Sequence, residues 1–206
     1  MELLLHTFVT LFVVLDPIGL APMFVALVRS SDTGYQRRMA IRSTAIASSI
    51  LLVFFFAGDA LLKLLGIGMP AFRMAGGALL FLLSIDMVFA RQSGLRSTTV
   101  REQQEAELKH DISVFPLAFP LIAGPGALTT VLLMSSTETS PAVVGGMLAI
   151  LVLVLSILLV SLLYALMITR LLGETGTNVI SRLFGLILAA LAAQYIVDGI
   201  RAAFLT

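Results

Sequence analysis

The chain has 206 residues, of which 59% are apolar and 12% charged, with 13 basic against 12 acidic side chains and two histidines. Its charged share is roughly half that of an average soluble domain, so water is not its main solvent, and no basic surface is left over for a nucleic-acid partner. Cysteine is absent, which excludes a disulfide framework and a thiolate metal site.

Apolar runs long enough to cross a bilayer, about 20 residues each, fall at 3–28, 39–62, 69–90, 112–135, 142–169 and 179–204. They are continuous and do not alternate at a period of two, so the expected fold is an all-α polytopic membrane protein with six transmembrane helices rather than a β-barrel. The first run opens on Met1-Glu2 without a basic n-region and passes directly into more apolar chain, so it is expected to be retained.

Span one carries Asp16 near its middle, where a charge costs at least a few kcal/mol and therefore needs a reason. Pro17 has no N–H with which to continue the helix ladder, and Asp followed by Pro is the sequence of an N-cap and first helical position. A second half-helix is expected to start there. Gly19 permits close approach of another backbone, and Pro22 follows about one turn later.

Span three opens with Arg73, and Asp86 lies near its end. The polar stretch 91–111 reads as a cytoplasmic linker, a solvated helix or loop of mixed charge. Span four holds Phe115-Pro116, Phe119-Pro120 and then Gly124-Pro125-Gly126. Another half-helix is expected to begin at Pro125, with glycines in place of an acidic cap leaving backbone N–H groups open to a ligand. In span six, Gln194 lies deeper than Asp198 and is expected to hydrogen-bond between helices. Arg73 and Arg182 open their spans and are expected to snorkel. His6 and His110 stand alone, without the carboxylate or histidine spacing that a metal needs.

The halves repeat. Ser49–Val53 and Ser156–Val160 both read SILLV; fourteen residues after each serine come Lys63-Leu64-Leu65-Gly66 and Arg170-Leu171-Leu172-Gly173, at an offset of 107 in each case. Arg73–Gly76 and Arg182–Gly185 share R-x-x-G at an offset of 109, and Pro17-Ile18-Gly19 stands opposite Pro125-Gly126. This divides the chain into a first three-helix repeat, 1–90, the linker, 91–111, and a second repeat, 112–206. An odd number of spans per copy inverts the second copy, and such repeats place broken helices face to face near the midplane, where substrates bind.

Arginines and lysines fix the expected orientation. Arg29, Arg37, Arg38, Arg42, Arg91, Arg96, Arg101, Lys109, Arg170 and Arg182 fall on one side, leaving Lys63, Arg73 and Arg201 for the other. The positive-inside rule puts the rich side in the cytoplasm and both termini outside. Small residues such as Gly76-Gly77 and Gly145-Gly146 allow close helix packing within a protomer or between protomers of a homo-oligomer.

These features predict transport. The positive end of the half-helix at Gly124–Ala127 suits a substrate carboxylate and Asp16 suits its ammonium group, a match for a zwitterion of amino-acid size. If Asp16 instead takes a proton during the cycle, it couples transport to the proton gradient. The competing reading of both breaks is purely structural, since Pro and Gly are frequent in membrane helices and an Asp can simply cap. No G-x-S-x-G or P-loop is present, so neither an enzyme nor ATP hydrolysis is expected, and no cofactor.

LDPIGLAPMFVALV in span one, FPLAFPLIAGPGALTTV in span four and the R-x-x-G openings at Arg73 and Arg182 resemble the MarC family of bacterial inner-membrane proteins. The resemblance covers nearly the whole chain. It implies six helices in the inner membrane, kinship with the lysine-exporter superfamily, and transport of small neutral amino acids such as alanine and glycine. The alternatives are an exporter of another small metabolite or drug, and a membrane scaffold or envelope protein without flux.

Overall fold

The computed structural model describes residues 2–28, 31–89, 111–137 and 140–204. Among them every regular element is helical: α1 (Glu2–Leu15), α2 (Pro17–Leu27), α3 (Thr33–Leu64), α4 (Met69–Phe89), a wide coil α5 (Ser113–Ile122), α6 (Pro125–Thr137), α7 (Pro141–Leu163) and α8 (Ala165–Phe204). Five apolar stretches are long enough to cross a bilayer: Glu2–Leu27, Thr33–Leu64, Met69–Phe89, Pro141–Leu163 and Thr175–Phe204. The pair α5 and α6, bent by 59°, supplies a sixth if it is taken as one crossing. The expected linker lies outside the described residues except for Asp111, as do Arg29 and His110.

Local chemistry explains where the helices start and stop. Asp32 caps α3 by accepting the Tyr35 N–H at 2.5 Å, so the helix begins at Thr33 and takes in residues expected to connect spans one and two. It ends at Gly66 (φ 69°), where the Gly66 N–H donates to the Lys63 carbonyl at 3.1 Å and the Ile67 N–H to the Leu62 carbonyl at 2.9 Å. This reciprocal pair is the Schellman arrangement, and the left-handed position in it favours glycine. In α5 both Phe115 and Phe119 are extended (φ −128°, ψ 127°; φ −135°, ψ 129°) because each precedes a proline, whose ring forbids the helical conformation to its predecessor. The surviving bonds run across five residues, Leu117 N–H to Ile112 and Ala123 N–H to Ala118.

The fifth apolar run was expected to continue to residue 169, but α7 ends at Leu163. Tyr164 (φ −104°, ψ 18°) interrupts the helix, and Gly173 (φ 63°, ψ 177°) separates the first arm of α8 from its long second arm. Gly173 occupies a region open essentially to glycine alone. The two glycines of the repeated LLG strings, Gly66 and Gly173, are the described glycines with positive φ.

Packing crosses the halves of the chain. The largest interface joins α4 to the second arm of α8, where a Cβ on Gly77 would meet the Ala192 carbonyl at 2.9 Å and one on Gly199 the Pro70 carbonyl at 2.9 Å. Missing side chains let these backbones approach, which is how membrane helices gain contact without a hydrophobic drive between them. α2 packs on α7 and α8, whereas α6 packs on α3 and α4. Gly146 faces Leu4 of α1, while Gly145 meets nothing.

On the arginine-rich side, Arg42 of α3 donates to Asp111 at 2.6 Å, and Asp111 also accepts from the Ser113 hydroxyl at 2.5 Å and the Ser113 N–H at 2.9 Å. The Ser113 hydroxyl, then the Ser113 N–H, hold the Asp111 carboxyl below its ordinary range; slight burial opposes them and Arg42 adds to them. A depressed carboxyl stabilises the fold above its unfolded pKa and loses that contribution as pH falls through the folded value. The thermal-stability advantage of the wild type over Asp111→Asn is therefore expected near neutrality, to start declining as pH falls below about 4, and to be gone once pH is below the folded value. An advantage that persists well into acid would contradict it.

Substituting Gly173 tests the second glycine hinge. Gly173→Ala is expected to cost about 1–3 kcal/mol in unfolding of the purified protein, the usual penalty for a side chain in this region. Gly145→Ala, open to space, is expected to stay within about 0.5 kcal/mol of wild type.

Candidate functional site

The first break is built on Asp16. It is only 1% exposed and adopts φ 42°, ψ 67°, the one non-glycine residue with positive φ among those described. Left-handed geometry costs a side-chain-bearing residue roughly 1–2 kcal/mol. About 1 kcal/mol returns through the cap, in which Asp16 Oδ1 accepts the Gly19 N–H at 2.9 Å. The Asp16 N–H still donates to the Phe12 carbonyl at 2.9 Å, so α1 and α2 stay close to one line and form a single 26-residue crossing.

Side chains from the second half of the chain close around this break. Ser161 of α7, itself buried, donates its hydroxyl to the Pro17 carbonyl at 2.5 Å. Ser181 of α8 lies with Oγ 2.8 Å from where a Gly19 Cβ would stand, and Asp16 Oδ2 is 2.1 Å from the same point. The Asp16 carboxylate and the Ser181 hydroxyl thus share the space that Gly19 leaves. Pro17 sits at the first position of α2, and Pro22 inside it removes the N–H that would have reached the Ile18 carbonyl.

The second break differs in chemistry. Leu128 N–H is bonded to the Gly124 carbonyl at 3.0 Å, which makes Gly124 the cap residue of α6. Pro125 has no N–H, so Gly126 and Ala127 carry the amide hydrogens that helix geometry leaves without an intrahelical acceptor. Gly124 is pressed against the Pro120 carbonyl, 2.4 Å from its missing Cβ, and the room spared at Gly126 is filled by Leu80 and Leu83 of α4. The first break is polar and the second is walled by leucine. Tight packing accounts for the two glycines.

Gln194 does not join either break. Its side chain is exposed and donates to Asp198 at 2.8 Å within the same helix. The expected interhelical bond is absent because α8 packs through Leu188 and Ala192, and a residue two positions beyond Ala192 points the other way. Asp59 pairs with Lys63 at 2.7 Å near the end of α3. Arg182 is exposed, Arg73 half-buried and His6 exposed. No group of three His, Asp or Glu side chains able to hold a metal occurs among the described residues.

Sequence reasoning missed the two serines. Ser161 and Ser181 read as isolated hydroxyls in apolar helices, and only the packing of α7 and α8 onto α2 brings them to the first break, Ser161 at Pro17 and Ser181 at Gly19. It also missed Thr10, Thr44 and Thr130, whose buried hydroxyls have no hydrogen-bond partner among the described residues.

The model of the MarC family of integral membrane proteins matches residues 1–204. The chain belongs to the MarC family. MarC relatives include the UPF0056 membrane protein YvbG of Bacillus subtilis, 33% identical over 98% of this chain and 95% of its own length. The UPF0056 inner membrane protein YhgN of Escherichia coli is 34% identical over 94% and 93%. A UPF0056 membrane protein of Archaeoglobus fulgidus is 36% identical over 94% and 90%. No solved structure matches this MarC chain.

The shared space at the first break gives a direct test. In Gly19→Ala the new methyl meets Asp16 Oδ2 and the Ser181 hydroxyl at sub-van-der-Waals distance. The variant is expected to lose about 1–3 kcal/mol of stability, the range for overpacking a filled site. Thermal unfolding of the purified protein measures this, and a variant as stable as wild type would mean that the cap relaxes freely.

Proposed function

We propose that this MarC-family protein is a secondary transporter of small neutral amino acids of the alanine and glycine type, seated in the bacterial inner membrane with the direction of flux open. The observation that carries the reading is the buried Asp16 carboxylate, held in left-handed geometry at a helix break inside a membrane span. A buried charge that only capped a helix could be replaced by serine or glycine at far lower desolvation cost, so retaining an ionisable group in hydrocarbon favours a functional role.

The ammonium group of a zwitterion would pair with Asp16, with the Ser181 hydroxyl as a second acceptor. The substrate carboxylate would take the amide hydrogens of Gly126 and Ala127 at the positive end of α6. Leu80 and Leu83 beside that end leave little room for a large or polar side chain, in keeping with alanine or glycine. Protonation of Asp16 during the cycle would neutralise the ammonium site and release the substrate, coupling flux to the proton gradient.

Two further observations support an inverted repeat as the frame for this site. Gly66 and Gly173, equivalent by the 107-residue offset, share positive φ, and each broken span packs on helices of the opposite half. Taking α5 and α6 as one crossing would give six spans, and reading Arg37, Arg38 and Arg42 at the start of α3 as cytoplasmic would put both termini outside. The name of the Escherichia coli relative, an inner membrane protein, agrees with that location.

Uptake of labelled alanine and glycine into proteoliposomes, with and without a pH gradient, tests the proposal. Saturable uptake is expected, and Asp16→Asn is expected to reduce it at least about ten-fold, the worth of one charge-assisted contact. Unchanged uptake in Asp16→Asn would remove Asp16 from the mechanism. No saturable flux of either amino acid would remove the substrate assignment.

A further inference from the structure

We infer that a cleft at the arginine-rich end of the protein is a seat for an anionic phospholipid of that leaflet. The cleft, of about 470 Å³, lies between the end of α2, the start of α3 and the junction of α7 with α8. Its lining divides into two zones. Phe24, Val25, Val28, Leu162, Leu163 and Leu166 form an apolar wall, while Thr33, Gln36, Arg37 and Tyr164 form a polar edge.

The wall is continuous with the outer surface of the helices. Leu163 and Leu166 line the cleft and are also exposed, so it opens sideways toward the lipid tails rather than only toward water. Tyr164, 59% exposed at the interruption between α7 and α8, has the amphipathic ring that settles at the headgroup level. The interruption matters, because a continuous helix through Tyr164 would carry the wall past the interface without an edge.

Charge complementarity selects the headgroup. Arg37 is exposed and forms no ion pair among the described residues, unlike Arg42, which is bound to Asp111. The nearest acid in sequence, Asp32, has its carboxylate on the Tyr35 N–H. Gln36 is turned inward, its amide donating to the Ser31 carbonyl at 3.0 Å, and Arg37 is the charged side chain among the described residues that line the cleft. A juxtamembrane cation beside an apolar slot fits a phosphodiester carrying an acyl chain, with a zwitterionic lipid bound less well because its own cation opposes Arg37.

This inference is independent of the transport reading. The experiment is native mass spectrometry of the intact protein released from micelles containing equal amounts of phosphatidylglycerol and phosphatidylcholine. Wild type is expected to retain phosphatidylglycerol preferentially. Arg37→Gln is expected to lower that preference about five-fold, the worth of one interfacial charge, with Arg37→Lys intermediate and Arg201→Gln unchanged. Val25→Phe, which fills the apolar wall, is expected to reduce retention of both lipids.

Equal retention of the two lipids by wild type, or an unchanged preference in Arg37→Gln, would overturn the proposal. A second measurement separates a lipid seat from a water-filled path. Because the chain has no native cysteine, Val25→Cys and Thr33→Cys can each be treated with a membrane-impermeant thiol reagent in phosphatidylglycerol vesicles. Slow reaction at Val25→Cys beside fast reaction at Thr33→Cys is expected, and equally fast reaction at both would overturn the lipid occupant.

Discussion

Hydrocarbon offers no hydrogen bonds, so a helix broken inside a membrane has to satisfy the amides and carbonyls freed at the break from within the protein. That constraint organises this chain. At the first break the Asp16 carboxylate takes one freed amide of α2 and Ser161 reaches across from α7 to the Pro17 carbonyl. At α5 the prolines remove amides outright, and the bonds that remain stretch across five residues. Each solution needs a neighbour at close range, so the first break sits against Gly19, Ser161 and Ser181 and the second against Pro120, Leu80 and Leu83 rather than against lipid.

The same need explains how the halves interlock. In packing, α2 draws on α7 and α8, and α6 on α3 and α4. Gly76 against Thr129, Gly58 against Leu132 and Gly77 against the Ala192 backbone bring these helices close enough for the exchange. Without a hydrophobic effect to press them together, such close contacts supply much of the cohesion. A consequence is that the polar first break is completed by Ser161 and Ser181, more than a hundred positions away, and the apolar second break by Leu80 and Leu83 of α4.

Much of this was legible in the linear chain. Span positions followed from apolar length, and both breaks from prolines that cannot donate, so α2 begins at Pro17 and α6 at Pro125 as their local sequences require. The LLG strings fall at two glycines of positive φ, Gly66 closing α3 and Gly173 kinking α8. The start of α3 was misplaced because Asp-Thr-Gly-Tyr is polar and hydropathy ignores a cap. Gln194 was misassigned because depth along a helix says nothing about which way a residue points.

What the sequence by itself determined is therefore one-dimensional: that the chain lives in a bilayer, where its helices run, and where proline, glycine and Asp16 must interrupt them, since hydropathy and a missing N–H act on the chain locally. Only the tertiary structure decided which residues surround Asp16. Ser161 and Ser181 become part of that site because α7 and α8 happen to face α2, and the angle at which one helix meets another depends on the packing of both surfaces at once.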